Sequence, residues 1–288
     1  MTDIGCDLHF HSTHSDGRYS PSQLARLLKK RGVRVAALTD HDTFTGCLKF
    51  FEEALRLDIV AIPALELTTW LEADGAGEEV HVLAMGLRVD EELARGLEEI
   101  KRQRNDLQAR ICQRLRAEGY AFDFERLRRR AEPDPVMVVH FVKDYLLRRP
   151  LRSALGLATG SVRRWFDHFE ENVYGPGGKA YLQPPLSFSE GIAWARRYGA
   201  LAVVAHPKKI ASPKVREAAL LADIDGIEAF YSGQEVMKGE LLQLAGSRGL
   251  AVTGGSDYHG FSGPPYSGWR MPQGHVNNLL ERLGLAPI

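Results

Sequence analysis

The segment Cys6-Asp7-Leu8-His9-Phe10-His11 decides which fold this sequence predicts. It begins as an apolar run typical of a strand and ends in two histidines separated by one residue. Side chains alternate between the two faces of a strand, so His9 and His11 point to the same side. We therefore predict a strand from Cys6 to His11 that carries two imidazoles on one face at its end.

A strand–helix alternation continues from this segment. Ser20-Pro21-Ser22-Gln23 has the capping-box pattern with proline at the first helical position, and Gly32 is a typical residue after a helix ends. Alternation of this kind favours parallel strands joined by right-handed crossovers. The following elements are predicted, in chain order, as a strand at Val35–Thr39, a helix at Thr45–Arg56, and strands at Ile59–Thr68 and Val80–Gly86.

The middle of the chain has helical periodicity and no strong strand pattern. The predicted helices are Asp90–Gly119, Phe124–Ala131, Pro135–Leu147 and Ser161–Val173. The first of them is acidic at its start and rich in arginine later, which suits the helix dipole. Gly175-Pro176-Gly177-Gly178 then predicts a loop.

The β/α pattern returns after this loop. Ser187-Phe188-Ser189-Glu190 is a second capping box, and strands are predicted at Ala200–Ala205, Gly226–Phe230 and Ala251–Gly254. The fold class is therefore predicted as α/β. We expect a distorted β/α barrel of residues 1–89 and 179–288, interrupted by a helical insertion, or cap, of residues 90–178.

Composition excludes several function classes. The 288 residues contain 37 Lys and Arg against 37 Asp and Glu, so the average charge predicts no membrane partner and no stable duplex DNA binding. Cys6, Cys47 and Cys112 lack CxxC spacing, which argues against a thiolate zinc site or a disulfide framework. No signal-peptide pattern opens the sequence and no apolar run approaches the roughly 20 residues of a membrane helix. We expect a cytoplasmic protein.

Histidine and acidic residues recur at or near the ends of the predicted strands. The carboxyl ends of barrel strands are where barrel enzymes build their active sites. The nine candidate metal ligands are His9, His11, Asp16, His41, Glu66, His81, His206, Asp257 and His259. One such histidine alone is more often a hydrogen-bonded core residue. The two i, i+2 pairs and the repeated placement favour a metal cluster, and nitrogen and carboxylate ligands suit zinc, manganese or iron.

Five ordered motifs resemble those of the polymerase-and-histidinol-phosphatase (PHP) family. They are Asp7-Leu8-His9-Phe10-His11-Ser12, Ser15-Asp16-Gly17, Leu38-Thr39-Asp40-His41-Asp42, Ala205-His206-Pro207 and Gly255-Ser256-Asp257-Tyr258-His259. The resemblance spans both ends of the chain. It implies a distorted, TIM-like β/α barrel with a trinuclear metal site that hydrolyses phosphate esters.

The resemblance also implies which side chains hold the three divalent ions, which are Mn, Zn or Fe. His9, His11, Glu66 and Asp257 would hold one ion, and Asp16, His41 and His259 a second. Glu66 would bridge to a third, held with His81 and His206. The implied catalytic residues are His41, Asp257 and His259, with attack by a metal-bridging hydroxide. His41 or His259 as proton donor to the leaving oxygen is the alternative to a ligand role alone.

Substrate choice depends on Asp16 and on the insertion. Histidinol-phosphatase-type members have histidine where this chain has Asp16, so the sequence resembles the nucleotide-phosphatase branch. Membership of that branch implies removal of the 3′-phosphate from nucleoside 3′,5′-bisphosphates. It also implies cleavage of short 5′-phosphorylated oligoribonucleotides. The implied substrate-binding residues are Lys101, Arg102, Arg104 and His140.

Blander interpretations stay open beside this one. The basic stretch is equally explained as a solvated helix face, and His140 as a core histidine. Lys208 and Lys209, directly after Ala205-His206-Pro207, could add phosphate affinity or merely solvate a loop. The alternative functions are a phosphatase of another small metabolite, such as histidinol phosphate, and a non-catalytic PHP module.

Overall fold

The strands form two sheets in the computed structural model, which describes residues 2–119, 122–137, 140, 178–231, 235–260 and 270–288. The first sheet has the order β3-β2-β1-β9. Its members are β1 (Asp3–Asp7), β2 (Val33–Ala36), β3 (Val60–Ala61) and β9 (Arg270–Pro272). The predicted parallel pairing is confirmed for β1, β2 and β3, whereas β9 runs antiparallel to β1.

The second sheet has its strands in chain order, β4 to β8. They are β4 (Ala64–Ala73), β5 (Ala76–Met85), β6 (Leu201–Val204), β7 (Gly226–Tyr231) and β8 (Ala251–Gly255). Pairing is parallel from β6 to β8, but β4, β5 and β6 are antiparallel.

The expectation of parallel strands throughout is therefore wrong at β4 and β5. Asp74 and Gly75, with φ of 49° and 76°, join these strands in a two-residue turn. Positive φ at both central residues is the geometry of the tight hairpin turn that Asp-Gly favours. The predicted strand Ile59–Thr68 is accordingly divided between β3 and the start of β4.

The closed barrel of the sequence prediction is not confirmed, because the described strands belong to two separate sheets. Short contacts nevertheless join the sheets. Phe10 pairs with Tyr258, and His41 with Glu66, in single parallel bridges. The amide of Leu8 donates to the carbonyl of Gly254 at 3.0 Å. The architecture is a mixed α/β fold in which these contacts bring β1, β2, β4 and β8 together at the candidate site.

Both predicted capping boxes are confirmed. Ser20 Oγ accepts from the backbone amide of Gln23, and Gln23 Oε1 accepts from the backbone amide of Ser20. Ser187 and Glu190 repeat this arrangement. The described helices are α1 (Pro21–Lys30), α2 (Thr45–Arg56), α3 (Glu91–Ala117), α4 (Phe124–Ala131), α5 (Phe188–Arg197), α6 (Pro213–Leu221), α7 (Glu235–Arg248) and α8 (Gln273–Arg282). The predicted helix Ser161–Val173, and most of Pro135–Leu147, lie outside the described residues.

The chain divides into two compact units, one of Met1–Leu97 with Leu186–Ile288 and one of Glu98–Pro185. The boundaries 1–89, 90–178 and 179–288 stay a prediction. The first unit contains both sheets and a core that includes the fully buried Leu8 and Phe10. Burial of each such side chain stabilises the fold by about 1.5–3 kcal/mol.

Among the described residues, no helix combines the length and the apolar character that crossing a bilayer requires.

Candidate metal centre

The nine predicted ligand side chains form one cluster, which includes the fully buried carboxylate of Glu66. Its Oε1 lies 2.8 Å from His81 Nδ1 and 3.1 Å from His206 Nε2. Its Oε2 lies 3.2 Å from the Nε2 atoms of His9 and His11, and 3.3 Å from His41 Nδ1. Each oxygen of Glu66 therefore faces a different set of imidazoles, which is the geometry of a bridging carboxylate.

Three groups in this cluster have the spacing of metal ligands. In each group the ligand atoms lie within 4.8 Å of one another. The groups are His9, His11, Glu66 and Asp257; His11, Asp16, His41 and His259; and His41, Glu66 and His81. The first is the set that the resemblance implies, the second adds His11 to the implied set, and the third has His41 in place of His206. These groups are able to bind metal; that all nine residues are ligands stays a prediction.

The site draws on fewer strand ends than predicted. His9 and His11 follow β1, His206 follows β6, and Asp257 and His259 follow β8. Glu66, however, is the third residue of β4, and His81 lies in the middle of β5 opposite Thr68. The expectation that all nine lie at the carboxyl ends of strands is wrong for these two, because the antiparallel hairpin presents them from its interior.

Two of the candidate ligands have a left-handed backbone. Asp257 has a φ of 49° and His206 a φ of 28°, a conformation that costs a residue other than glycine about 1–3 kcal/mol. Hydrogen bonds hold both in place: the Asp257 amide donates to the His9 carbonyl at 2.7 Å, and the His206 amide to Glu228 Oε2 at 2.7 Å. Such backbone strain clusters at functional sites.

Mutual contacts set the charges of these groups. Burial alone would raise the pKa of the Glu66 carboxyl, but the surrounding imidazoles, His9 first, hold that pKa well below its usual range. The same balance, with His259 as the leading imidazole, lowers the pKa of Asp257. Burial lowers the pKa of His41 well below its usual value, which leaves a neutral imidazole with a lone pair for a ligand.

Two imidazoles have the opposite shift. Burial lowers the pKa of His11, but hydrogen bonds to Asp257 and Glu66 outweigh it and raise that pKa to about 10. Glu66 and Glu79 likewise raise the pKa of His81 to about 10 against the effect of burial. A divalent cation must displace these protons, so metal binding by the cluster is coupled to pH.

Sequence reasoning missed the side chains that orient the ligands. Glu228 Oε1 lies 3.0 Å from His9 Nδ1, on the ring atom that does not face Glu66. Asp7 accepts from the amide and the hydroxyl of Ser256, the residue before Asp257. Partners of this kind fix ligand orientation and basicity in metal sites. Glu228 could have been found as the one acid inside the otherwise apolar run of β7, Gly226–Tyr231.

The donor set fits divalent cations. Six imidazoles and three carboxylates, with no thiolate among them, suit zinc, manganese or iron. The Nδ1 atoms of His11, His41 and His206 are buried and make no hydrogen bond to any described residue. Buried polar atoms normally make hydrogen bonds, so buried nitrogens that make none inside an anionic cluster fit the role of ligands to a cation.

The predicted substrate-binding residues belong to the second unit, Glu98–Pro185. On α3, Lys101 Nζ donates to Glu132 Oε2 at 2.9 Å, and the exposed Arg102 pairs with Glu99 at 2.6 Å. Arg104 lies half-buried on the same helix. His140 Nδ1 accepts from the Met137 amide at 2.9 Å. The local pairing of Arg102 favours the solvated-face interpretation for that residue.

Comparison with known proteins agrees with this cluster. Residues 7–120 match the PHP domain model. A phosphoribosyl 1,2-cyclic phosphate 1,2-diphosphodiesterase of Eggerthella lenta is 28% identical, over 92% of this chain and 98% of the relative. A 3′,5′-nucleoside bisphosphate phosphatase of Chromobacterium violaceum is 26% identical, over 95% and 92% of the two chains. A 5′-3′ exoribonuclease of Haemophilus influenzae is 26% identical, over 88% and 89%.

Solved structures have the same fold. A metal-dependent phosphoesterase of Bifidobacterium adolescentis superposes with a TM-score of 0.75, covering 97% of this chain and 96% of that one at 24% identity. The fold and the site together define a metal-dependent phosphoesterase, a hydrolase of phosphate esters. Over residues 7–120 this chain matches the PHP domain.

Proposed function

We propose that the chain removes the 3′-phosphate of nucleoside 3′,5′-bisphosphates and also acts on short 5′-phosphorylated oligoribonucleotides. The observation that carries this proposal is a cluster of six imidazoles and three carboxylates, Glu66 among them. The chain that holds it aligns, over 95% of its length, with a relative named for the bisphosphate reaction. We place the enzyme in the cytoplasm.

The proposed site holds three divalent ions, Mn, Zn or Fe. His9, His11, Glu66 and Asp257 would hold the first; Asp16, His41 and His259 the second; and Glu66, His81 and His206 the third. Such ions, when bound, neutralise phosphoryl oxygens and lower the pKa of water toward neutrality. His41, Asp257 and His259 are the proposed catalytic residues.

The chain's own groups orient this chemistry. The lowered pKa values of Glu66 and Asp257 keep both carboxyls anionic at neutral pH, so they need no proton release before they bind a cation. Glu228 fixes the ring of His9 through Nδ1 and leaves Nε2 directed at the cluster. His259, a quarter exposed, lies 3.2 Å from Asp16 and is accessible to an entering substrate.

We assign the second phosphate of the substrate to the predicted cap, residues 90–178, which interrupts the sequence of the predicted barrel, residues 1–89 and 179–288. Lys101, Arg102, Arg104 and His140 are the proposed contacts, with Arg104 as the principal one. A guanidinium can fork onto two phosphate oxygens, which gives orientation as well as affinity.

A second candidate substrate is a phosphoribosyl cyclic phosphate. It is favoured by the Eggerthella lenta relative, which matches at 28% identity across 98% of its own length. Both candidates share a phosphorylated ribose that carries a further phosphate ester, so the same cluster and the same remote anion contact would serve either.

A hydrolysis panel tests the proposal. The manganese-loaded protein would be assayed with adenosine 3′,5′-bisphosphate, phosphoribosyl 1,2-cyclic phosphate, a 5′-phosphorylated trinucleotide, histidinol phosphate and an aryl phosphate. The proposal expects the highest kcat/KM for the bisphosphate. Preference for histidinol phosphate would contradict it, and no hydrolysis of any ester at full metal loading would favour the non-catalytic alternative.

A further inference from the structure

We infer that Lys209 is a phosphate-binding residue of this site, and that Tyr231 and Asp257 position its ammonium group at the edge of the cluster. The inference rests on the proposed phosphoesterase function and names an anion contact outside the nine candidate ligands. It concerns a phosphoryl group at the site itself, and is independent of the contacts proposed for Arg104.

The two oxygens of Asp257 face in different directions. Oδ1 faces the cluster, 3.1 Å from His11 Nε2 and 3.4 Å from His9 Nε2. Oδ2 faces away and accepts hydrogen bonds from Lys209 Nζ and, at 3.3 Å, from the Tyr231 hydroxyl. Lys209 therefore contacts a candidate metal ligand, Asp257, on the oxygen that does not face the cluster.

Lys209 lies at the boundary between the buried site and solvent. Its side chain is 49% exposed, whereas that of Asp257 is 5% exposed. An ammonium carries three N–H donors, and one Asp257 oxygen does not use all of them. A cation at this position can thus reach a phosphoryl oxygen that enters from solvent toward the cluster.

A carboxylate and an aromatic ring both favour the charged form of Lys209. Its Nζ donates to Asp257 Oδ2, and the same oxygen accepts from the Tyr231 hydroxyl at 3.3 Å. The ammonium also lies 5.6 Å from the centre of the Tyr231 ring, a cation–π contact.

The backbone around Lys209 is held on both sides. Pro207 begins a 3-10 turn, Pro207–Lys209, and the Lys209 amide donates to the His206 carbonyl at 2.8 Å. Glu78 accepts from the amides of Ala211 and Ser212 at 2.7 and 2.9 Å. A donor fixed in this way needs little reorganisation when an anion binds, which is the property of a preorganised site.

Lys208 provides a matched control. It adjoins Lys209 in the same turn and has the same charge and an exposed side chain, but Lys209 is the lysine that contacts Asp257 and the Tyr231 ring. General attraction of anions to a basic loop would depend on both lysines. Binding to a built subsite would depend on Lys209 alone.

The experiment measures binding of inorganic phosphate by calorimetry to the protein at full manganese loading. Lys209→Met, which keeps the length of the apolar stem, should raise the Kd of phosphate about tenfold to hundredfold. Lys209→Arg should restore most of the affinity, and Tyr231→Phe should cause a smaller loss. Lys208→Met should match the wild type. Manganese affinity, titrated separately, should change less than about twofold in all four variants.

Three results would overturn the inference. The first is an unchanged phosphate Kd in Lys209→Met. The second is a loss of manganese affinity that accounts for the whole loss of phosphate binding, which would make Lys209 a support of Asp257. Equal losses in the Lys208 and Lys209 variants would also contradict a built subsite. If the wild type hydrolyses esters and binds phosphate, and Lys209→Met does both equally well, this inference fails and the proposed function stands. If the wild type does neither, the proposed function fails as well.

Discussion

The two compact units of the chain carry opposite net charges. Met1–Leu97 with Leu186–Ile288 contains 20 Lys and Arg against 25 Asp and Glu, whereas Glu98–Pro185 contains 17 against 12. The net charge of zero therefore combines −5 with +5. In the first unit Glu66 is fully buried and meets histidines far away in sequence, such as His206. In the second, exposed arginines such as Arg128 pair with acids one turn away.

This difference shows what burial does to a charged residue. A buried carboxylate needs partners, so its position in the sequence predicts convergence with other polar groups. An exposed ion pair contributes about 0–1 kcal/mol and predicts little about function. The first unit should accordingly be sensitive to single substitutions at the site, and the second should affect only substrate choice.

The largest expected effect is the loss of hydrolysis in Asp257→Ala or His9→Ala. Each substitution removes a side chain from the group of His9, His11, Glu66 and Asp257, so kcat should fall about a thousandfold or more while the circular dichroism spectrum stays native. Asp223→Ala, at an 89% exposed acid paired with Arg196, is the control and should keep full activity. Near-wild-type turnover of either cluster variant with full metal content would remove the cluster from the mechanism.

The next effect concerns a glycine that the cluster requires. A Cβ at Gly255 would lie 2.2 Å from His9 Cβ and 2.6 Å from the His9 amide nitrogen. Gly255→Ala must displace either the end of β8 or the backbone at His9. It should lower the free energy of unfolding by about 1–3 kcal/mol. Gly246→Ala, in α7, meets nothing within 4 Å and should be neutral or stabilise by up to about 1 kcal/mol. Urea denaturation would compare the two, and equal stabilities would contradict the close approach.

How much of this could be predicted from the sequence depended on the range of the interaction. Local signals predicted well: Phe124–Ala131 is a helix as expected, and both capping boxes formed. The nine candidate ligands were recognisable because polar residues follow apolar runs. Glu228 was missed although it is the one acid in an apolar strand, because its partner His9 is 219 residues away and the sequence does not show that contact. The hairpin at Asp74-Gly75 was missed although its turn signal is local, because a crossover was assumed.

A moderate effect is expected from Arg104→Ala in the second unit. The loss of a charge-assisted phosphate contact, about 1.5–3 kcal/mol, should lower kcat/KM for a nucleoside 3′,5′-bisphosphate about tenfold to hundredfold. An aryl phosphate lacks the second phosphate and should be hydrolysed as by the wild type. Arg128→Ala, at an exposed arginine of the same unit that pairs with Glu125, is the matched control. An equal loss for both substrates would instead assign Arg104 a structural role.

The smallest effect is on stability against pH, and its sign depends on metal. The pKa values of His11 and His81 are raised to about 10 from an ordinary value near 6.5. Without metal, their contribution to stability is complete below pH 6.5 and is lost as pH rises toward 10, so the Tm should fall by a few degrees over that range. Manganese binds the deprotonated rings, so the rise in Tm on adding it should grow with pH. Scanning calorimetry at pH 6.5, 8 and 9.5, with and without manganese, would measure both quantities. A metal-free Tm that stays constant or rises over this range would contradict the prediction.

The central claim, that Glu66 bridges two metal ions in one cluster, is tested most directly by anomalous scattering from crystals soaked in manganese or zinc. The account predicts three peaks, one beside each Glu66 oxygen and a third beside Asp16, His41 and His259. Loss of the first two peaks in Glu66→Gln, measured at the same absorption edge, would agree with a bridging role. A full set of peaks remote from Glu66, or peaks unchanged in that variant, would contradict the account.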